Sequence, residues 1–161
     1  MKKLLLIIFA AATVAGCKKE EQKKEDGPTG FVPKGNFVFK LDGVQYDLNA
    51  KIRVPSPNLY QLYWDSTDMT ALRSLLLTVN SNVPRTYPLV QEFDNVNQAV
   101  FSYVIISGPS RKDYISISGS FVLSNVTDGK WTATFSGRVK DKETGDEFDI
   151  TDGRLIGVPQ E

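Results

Sequence analysis

The sequence predicts an all-β domain, an antiparallel β-sandwich with a barrel as the alternative, and three observations carry that expectation. From Asn36 onward apolar residues recur at every second position, the period of a half-buried strand. Dipeptides that tolerate positive φ, such as Asp42-Gly43 and Asp128-Gly129, fall between these runs. The only helical candidate is the short segment Ser66–Leu72, where Asp65 or Ser66 could cap a single turn.

The first element places Phe37, Phe39 and Leu41 on one face, with Val38 and Lys40 on the other. Asp42-Gly43 suits a type I′ hairpin, and Val44, Tyr46 and Leu48 alternate on the return strand. Four later runs repeat the pattern: Leu75/Leu77/Val79, Ala99/Phe101/Tyr103/Ile105, Ile115/Ile117/Gly119/Phe121/Leu123 and Trp131/Ala133/Phe135/Gly137/Val139. Opposite the last lie Thr132, Thr134, Ser136 and Arg138, so one face is wet and one buried. Further turns are expected at Asp128-Gly129, Thr144-Gly145 and Asp152-Gly153, and loops at Pro55-Ser56-Pro57-Asn58 and Gly108-Pro109-Ser110. The spacing gives about eight to ten strands, as sandwiches and barrels require.

Before the domain lies an address. Lys2 and Lys3 precede the apolar stretch Leu4–Ala15, too short to span a bilayer, which takes about 20 residues, but suited to a secretory signal. An ordinary cleaved signal or a buried helix would use the same stretch. Val14-Ala15-Gly16-Cys17, however, has the small residues and following cysteine of a bacterial lipobox. The expected organisation is a signal peptide over 1–16, a lipidated Cys17 with a charged tether over 17–35, and a β domain over 36–161. Lys18–Asp26 is polar throughout and Gly27-Pro28-Thr29-Gly30 follows, a composition that offers no apolar anchor to offset ordering. Lys18–Gly35 would reach about 60 Å fully extended. Lysine rather than aspartate after Cys17 favours the outer membrane. Lys19-Glu20-Glu21 resembles a Bacteroidota surface-export signal, although any charged tether reads similarly. The expected location is the outer membrane, lipid-anchored, with the domain at the cell surface.

Composition excludes much chemistry. The chain contains no histidine and a single cysteine, so a Ser-His-Asp triad, a Cys-His dyad, a His-Cys zinc site and an intrachain disulfide all lack their residues. Loss of residues 1–16 removes Lys2 and Lys3 from 19 basic residues and none of the 19 acidic ones, leaving 17 against 19. That balance has no footprint for nucleic acid. No cofactor motif is present.

The arrangement resembles a family of small Bacteroidota lipoproteins with a β domain of unknown function. The resemblance rests on the lipobox and tether, on Phe39-Lys40-Leu41-Asp42-Gly43-Val44-Gln45-Tyr46, and on a closing stretch. That stretch comprises Ser118-Gly119-Ser120-Phe121, Phe135-Ser136-Gly137-Arg138 and Ile150-Thr151-Asp152-Gly153-Arg154-Leu155. Tyr87-Pro88-Leu89 matches the family's usual bend, with Pro84-Arg85-Thr86 standing where a glycine is common. It implies a surface lipoprotein and a β fold, and no activity.

Several residues are candidates for chemistry. Asp141, Glu143 and Asp146 surround a glycine turn as calcium ligands do, and a solvated hairpin has the same composition. Glu147 and Asp149 lie two strand positions apart, about 7 Å, within the separation used by inverting glycosidases; a polar strand face produces such pairs routinely. Tyr60, Tyr63 and Trp64 offer aromatic rings for a glycan or protein ligand, with Tyr60, Leu62 and Trp64 on one face and Gln61 and Tyr63 on the other. Asp65-Ser66-Thr67 fits an O-glycosylation motif at Ser66, and Asn125-Val126-Thr127 fits an N-glycosylation sequon that a turn also explains. The expected function is a membrane-tethered, non-enzymatic binding domain. The alternatives are a hydrolase built on Glu147 and Asp149 and a structural envelope component meeting its neighbours through a sheet edge.

Overall fold

The computed structural model describes residues 33–66 and 70–161. Among the described residues ten strands form: β1 (Phe37–Leu41), β2 (Val44–Leu48), β3 (Lys51–Ser56), β4 (Leu59–Asp65), β5 (Leu72–Val79), β6 (Arg85–Pro88), β7 (Ala99–Ser107), β8 (Ser110–Thr127), β9 (Lys130–Asp141) and β10 (Glu147–Pro159). The strand pairings are antiparallel within one sheet of order β2-β1-β10-β9-β8-β7-β5-β4-β3, with β6 added against the second half of β8. The sheet curls until its far edge meets β10. Ile52 bridges Gln160 in parallel, and the Glu161 amide donates to the Ile52 carbonyl at 2.8 Å. The all-β expectation therefore holds, and the barrel-like alternative describes the single curled sheet better than two stacked sheets. Leu72, the end of the expected helical turn, opens β5, whereas residues 67–69 lie outside the described residues.

Local chemistry explains most of the hairpins. Asp42 and Gly43 take φ of 49° and 75°, and Asp128 and Gly129 take 51° and 69°, as two-residue type I′ turns demand. Gly108, at φ 57°, precedes Pro109 in the β7–β8 turn. The Asp152-Gly153 turn does not form. These residues lie inside β10, where pairing slips against β9 between Ile150 and Gly153 and against β1 between Val38 and Lys40. Asp152 keeps the positive φ that the dipeptide favours, 55°, but uses it in a bulge, because both flanks already have antiparallel partners.

A second bulge corrects the reading of β8. Ile115 and Ile117 were expected on the core face with Phe121 and Leu123. Instead Tyr114 and Ser116 face inward before the register shift at Ser116/Ser118, and Phe121 and Leu123 face inward after it. One inserted residue exchanges the faces, so Ile117 is only half-buried and Ile115 is buried outside the main core. At this point β8 leaves β7 for β6. The buried Ser116 hydroxyl substitutes for the missing ladder bonds, accepting from the Phe101 amide at 3.0 Å and donating to the Val90 carbonyl at 2.5 Å.

The interior is aromatic. Phe37 stacks on Phe135 at 5.3 Å, while Phe39 meets Tyr46, Phe101 and Tyr103. Burial pushes the Tyr103 phenol far above its ordinary value of 10.0, and the neighbouring Tyr46 adds to the shift. Tyr114 is raised by burial and then by the nearby Asp141 carboxylate. Both phenols favour the neutral form in the fold. Their stabilisation is thus complete below the unfolded-state value of about 10 and is lost as pH rises through their folded-state values. A Tyr103→Phe variant is expected to lose less stability than the parent between neutral pH and about pH 11, read from urea midpoints at the two pH values. Equal losses would show that Tyr103 ionises inside the native fold.

Candidate functional site on the outer face of the sheet

The aromatic candidates separate across β4. Tyr60 and Trp64 pack against the core, the Tyr60 ring lying 5.2 Å from the buried Trp131. Tyr63 points outward, where the Arg53 guanidinium covers its ring at 5.1 Å and its hydroxyl donates to Glu161 at 2.8 Å. Lys51 pairs with the same carboxylate, and Arg53 also donates to Gln61 at 3.0 Å. Lys51, then Tyr63, holds the Glu161 carboxyl below the ordinary range, and bonding to Glu161 raises the Tyr63 phenol. The three rings therefore form no shared platform, since the pleat of one strand sends neighbours to opposite faces.

The carboxylate candidates are engaged by their own surroundings. Arg138 on β9 holds Glu147 at 2.7 Å and Asp149 at 3.6 Å. Both acids stand on an exposed strand face, Asp149 at 72% side-chain exposure. Asp141, by contrast, is buried at 3%; its carboxylate accepts the Glu143 amide at 2.9 Å, and its carbonyl accepts from Gly145. Asp146 accepts the Thr144 hydroxyl at 2.8 Å. These bonds tie down the β9–β10 turn, and among the described residues no three His, Cys, Asp or Glu gather as metal ligands. Ser66 is placed by its amide, which donates to the Arg73 carbonyl at 2.8 Å, and it borders a 340 Å³ groove with Leu72, Val104 and Ile106. Cys17 lies outside the described residues.

A polar constellation emerges on the outer face of β8, β9 and β10. Register places Ser120 opposite Ser136, and aligns Val122, Thr134 and Arg154 in one row across three strands. The bulge in β10 turns Asp152 toward these rows, where it also meets Lys40 at 2.7 Å. Gly153 lies directly on Phe135; a Cβ there would sit 2.4 Å from the Phe135 carbonyl oxygen and 2.6 Å from its ring. That side chain would point into the core beside Phe135; on the opposite, outer face lies a depression of about 180 Å³ lined by Ser120, Val122, Thr134, Ser136, Asp152 and Arg154. The Lys40 ammonium, by hydrogen bond and then by charge, holds the Asp152 carboxyl below the ordinary carboxylate range. That carboxylate is an acceptor at any neutral pH. The Ser120, Thr134 and Ser136 hydroxyls have no side-chain hydrogen bond among the described residues, and Arg154 has no ion pair there.

Of this group, the sequence marks Asp152-Gly153 as a turn, Thr134 and Ser136 as wet-face residues, and Ser120, Ser136, Asp152 and Arg154 as members of the motifs that carry the family resemblance, but none of them as parts of one site. Their convergence depends on which strands lie side by side, which no local pattern encodes. No protein-family model, curated protein or solved structure matches the chain.

Proposed function

We infer that the protein is a lipid-anchored envelope protein, modified at Cys17, whose β domain binds a ligand or partner outside the membrane without catalysing a reaction. The observation that carries this reading is the ordered set Lys2-Lys3, Leu4–Ala15 and Val14-Ala15-Gly16-Cys17 at the start of the chain. A diacylglyceryl group on Cys17 would supply two acyl chains, the number that gives stable anchoring. Lys18 after the cysteine and Lys19-Glu20-Glu21 beyond it favour the outer membrane and the cell surface. The resemblance to small Bacteroidota lipoproteins supports the same address.

Non-catalytic binding is supported by the domain itself. Histidine is absent from the chain. Glu147 and Asp149, the pair on which a hydrolase would depend, share one arginine in open solvent. Neither carboxylate is buried, and the charged group that both meet is a guanidinium.

The test compares the parent protein with Cys17→Ser in the native host, by membrane fractionation and intact mass. The parent is expected in the membrane fraction, with residues 1–16 removed and acyl mass added. The serine variant is expected to keep its leader or to appear soluble, without lipid. A parent of unmodified mass would overturn the anchor, and protease digestion of intact cells reads whether the domain is displayed outside.

A further inference from the structure

We propose that the outer face of β5 and β7 is a self-association surface, on which a second copy of this chain docks through a twofold axis running along the strands. The inference concerns the β domain alone and needs no lipid anchor.

This face departs from the rest of the sheet. On β9 the outward residues are Thr132, Thr134, Ser136 and Arg138, as a solvated face requires. On β5 and β7 the outward positions instead hold Leu72, Leu76, Val100, Val104 and Ile106. Register sets them in adjoining rows: Leu72 opposite Ile106, Ser74 opposite Val104, Leu76 opposite Ser102 and Thr78 opposite Val100. Ile115 of β8 extends the third row. The core does not need these side chains, since Leu75, Leu77, Phe101 and Tyr103 fill it from the other face of the same strands. Leu72 is 54% exposed and Ile106 37%, and with Val104 they line the 340 Å³ groove. Aliphatic groups gathered on one face, rather than scattered singly, mark a surface that another molecule covers.

Charge selects the occupant. On the β4 flank the outward Asp65 shares the row of Ser74 and Val104 and has no ion pair among the described residues. On the β8 flank Arg111 lies opposite Ile106, and Arg111 and Lys142 approach Asp113 at 3.3 and 3.9 Å, two cations to one acid. Arg73 also borders the groove, but it stands on the core-facing side of β5 opposite Ile105, where its charge acts on the Tyr103 phenol.

A twofold axis between β5 and β7 lays β4 of one copy over β8 of the other. Each Asp65 then meets a cationic flank, and each Leu72 meets the Ile106 and groove of the facing copy. One flank is acidic and the other basic, so the surface is complementary to itself, the condition for an isologous contact. Sheets packed face to face about 10 Å apart cover such surfaces inside β-sandwiches. A bilayer interior offers Asp65 no counterpart, whereas a second copy supplies the apolar face and the cations together.

Sedimentation velocity tests the contact on the full chain carrying Cys17→Ser, purified without detergent, from about 1 µM to 1 mM, the span of weak affinities. A monomer–dimer equilibrium is expected, at the weak end because the face is small. Leu72→Lys is expected to weaken it by more than about tenfold, since symmetry counts each substitution twice. Asp65→Lys is expected to weaken it by about tenfold, and adding Arg111→Glu to recover most of that loss. A chain that stays monomeric throughout, or a dimer indifferent to Leu72→Lys, overturns the surface. Failure of the double variant to recover overturns the twofold arrangement. Flotation with phosphatidylethanolamine vesicles that Leu72→Lys abolishes assigns the face to lipid and overturns the second copy as its occupant. Should Leu72→Lys alter the fold, Ile106→Lys at the facing position gives the same reading.

Discussion

Replacing Phe39 with alanine is expected to cost the domain about 3–5 kcal/mol, the largest loss of any single core truncation in β1. Phe39 is fully buried. Its ring lies 5.4 Å from Phe37, 4.9 Å from Tyr46, 5.6 Å from Phe101, 6.3 Å from Tyr103 and 6.1 Å from Phe135. These partners belong to β1, β2, β7 and β9, so one ring ties the first hairpin to the middle of the sheet. Truncation removes the transfer energy of the ring and leaves a void that rigid aromatic neighbours fill poorly. A domain of this size has about 5–15 kcal/mol in total, so a large fraction of the stability would go. Urea denaturation of the full chain measures it, with Phe93→Ala at a partly exposed loop position expected within about 1 kcal/mol of the parent. A loss below about 1.5 kcal/mol for Phe39→Ala would mean that β2 collapses into the space.

Alanine at Gly119 is expected to destabilise by about 3 kcal/mol or more, through strain rather than through a cavity. Gly119 faces Gly137 directly across β8 and β9. A Cβ on Gly119 would lie 2.3 Å from the Ser136 carbonyl oxygen and 2.4 Å from the Gly137 Cα. Both are backbone atoms in the middle of a ladder, so neither can rotate away. The φ of +127° adds a conformational cost of its own. Gly43→Ala separates the two effects, because Gly43 has φ +75° with nothing within 4 Å of an added Cβ. That variant is expected to lose only about 1 kcal/mol. Melting temperatures of the two variants give the comparison, and equal shifts would refute close approach as the reason for Gly119.

The two glycines also show where the sequence is legible and where it is not. Gly43 follows aspartate between two alternating runs, and its turn is readable from four residues. Gly119 and Gly137 sit within alternating runs, where periodicity reads each as one more core position. Their real constraint is each other's backbone, and the 17 residues between them in the chain give no local sign of it. Asp152-Gly153 shares its chemistry with Asp42-Gly43 and Asp128-Gly129, yet makes a bulge. The dipeptide favours positive φ in all three cases; whether the chain then reverses depends on the partners flanking it.

The sequence by itself determined the all-β class, the type I′ hairpins at Asp42-Gly43 and Asp128-Gly129, and most of the inward-facing residues of β1, β5, β7 and β9. It also excluded histidine chemistry and an intrachain disulfide. Each of these follows from composition or from interactions within a few residues. The tertiary structure alone decided that the ten strands share one curled sheet and that a bulge reverses the faces of β8. It alone brought Ser120, Thr134, Ser136, Asp152 and Arg154 into one depression. These outcomes depend on register between distant strands. Register is selected by the summed burial of the whole sheet, because a slip of one residue would turn every apolar side chain of a strand to water.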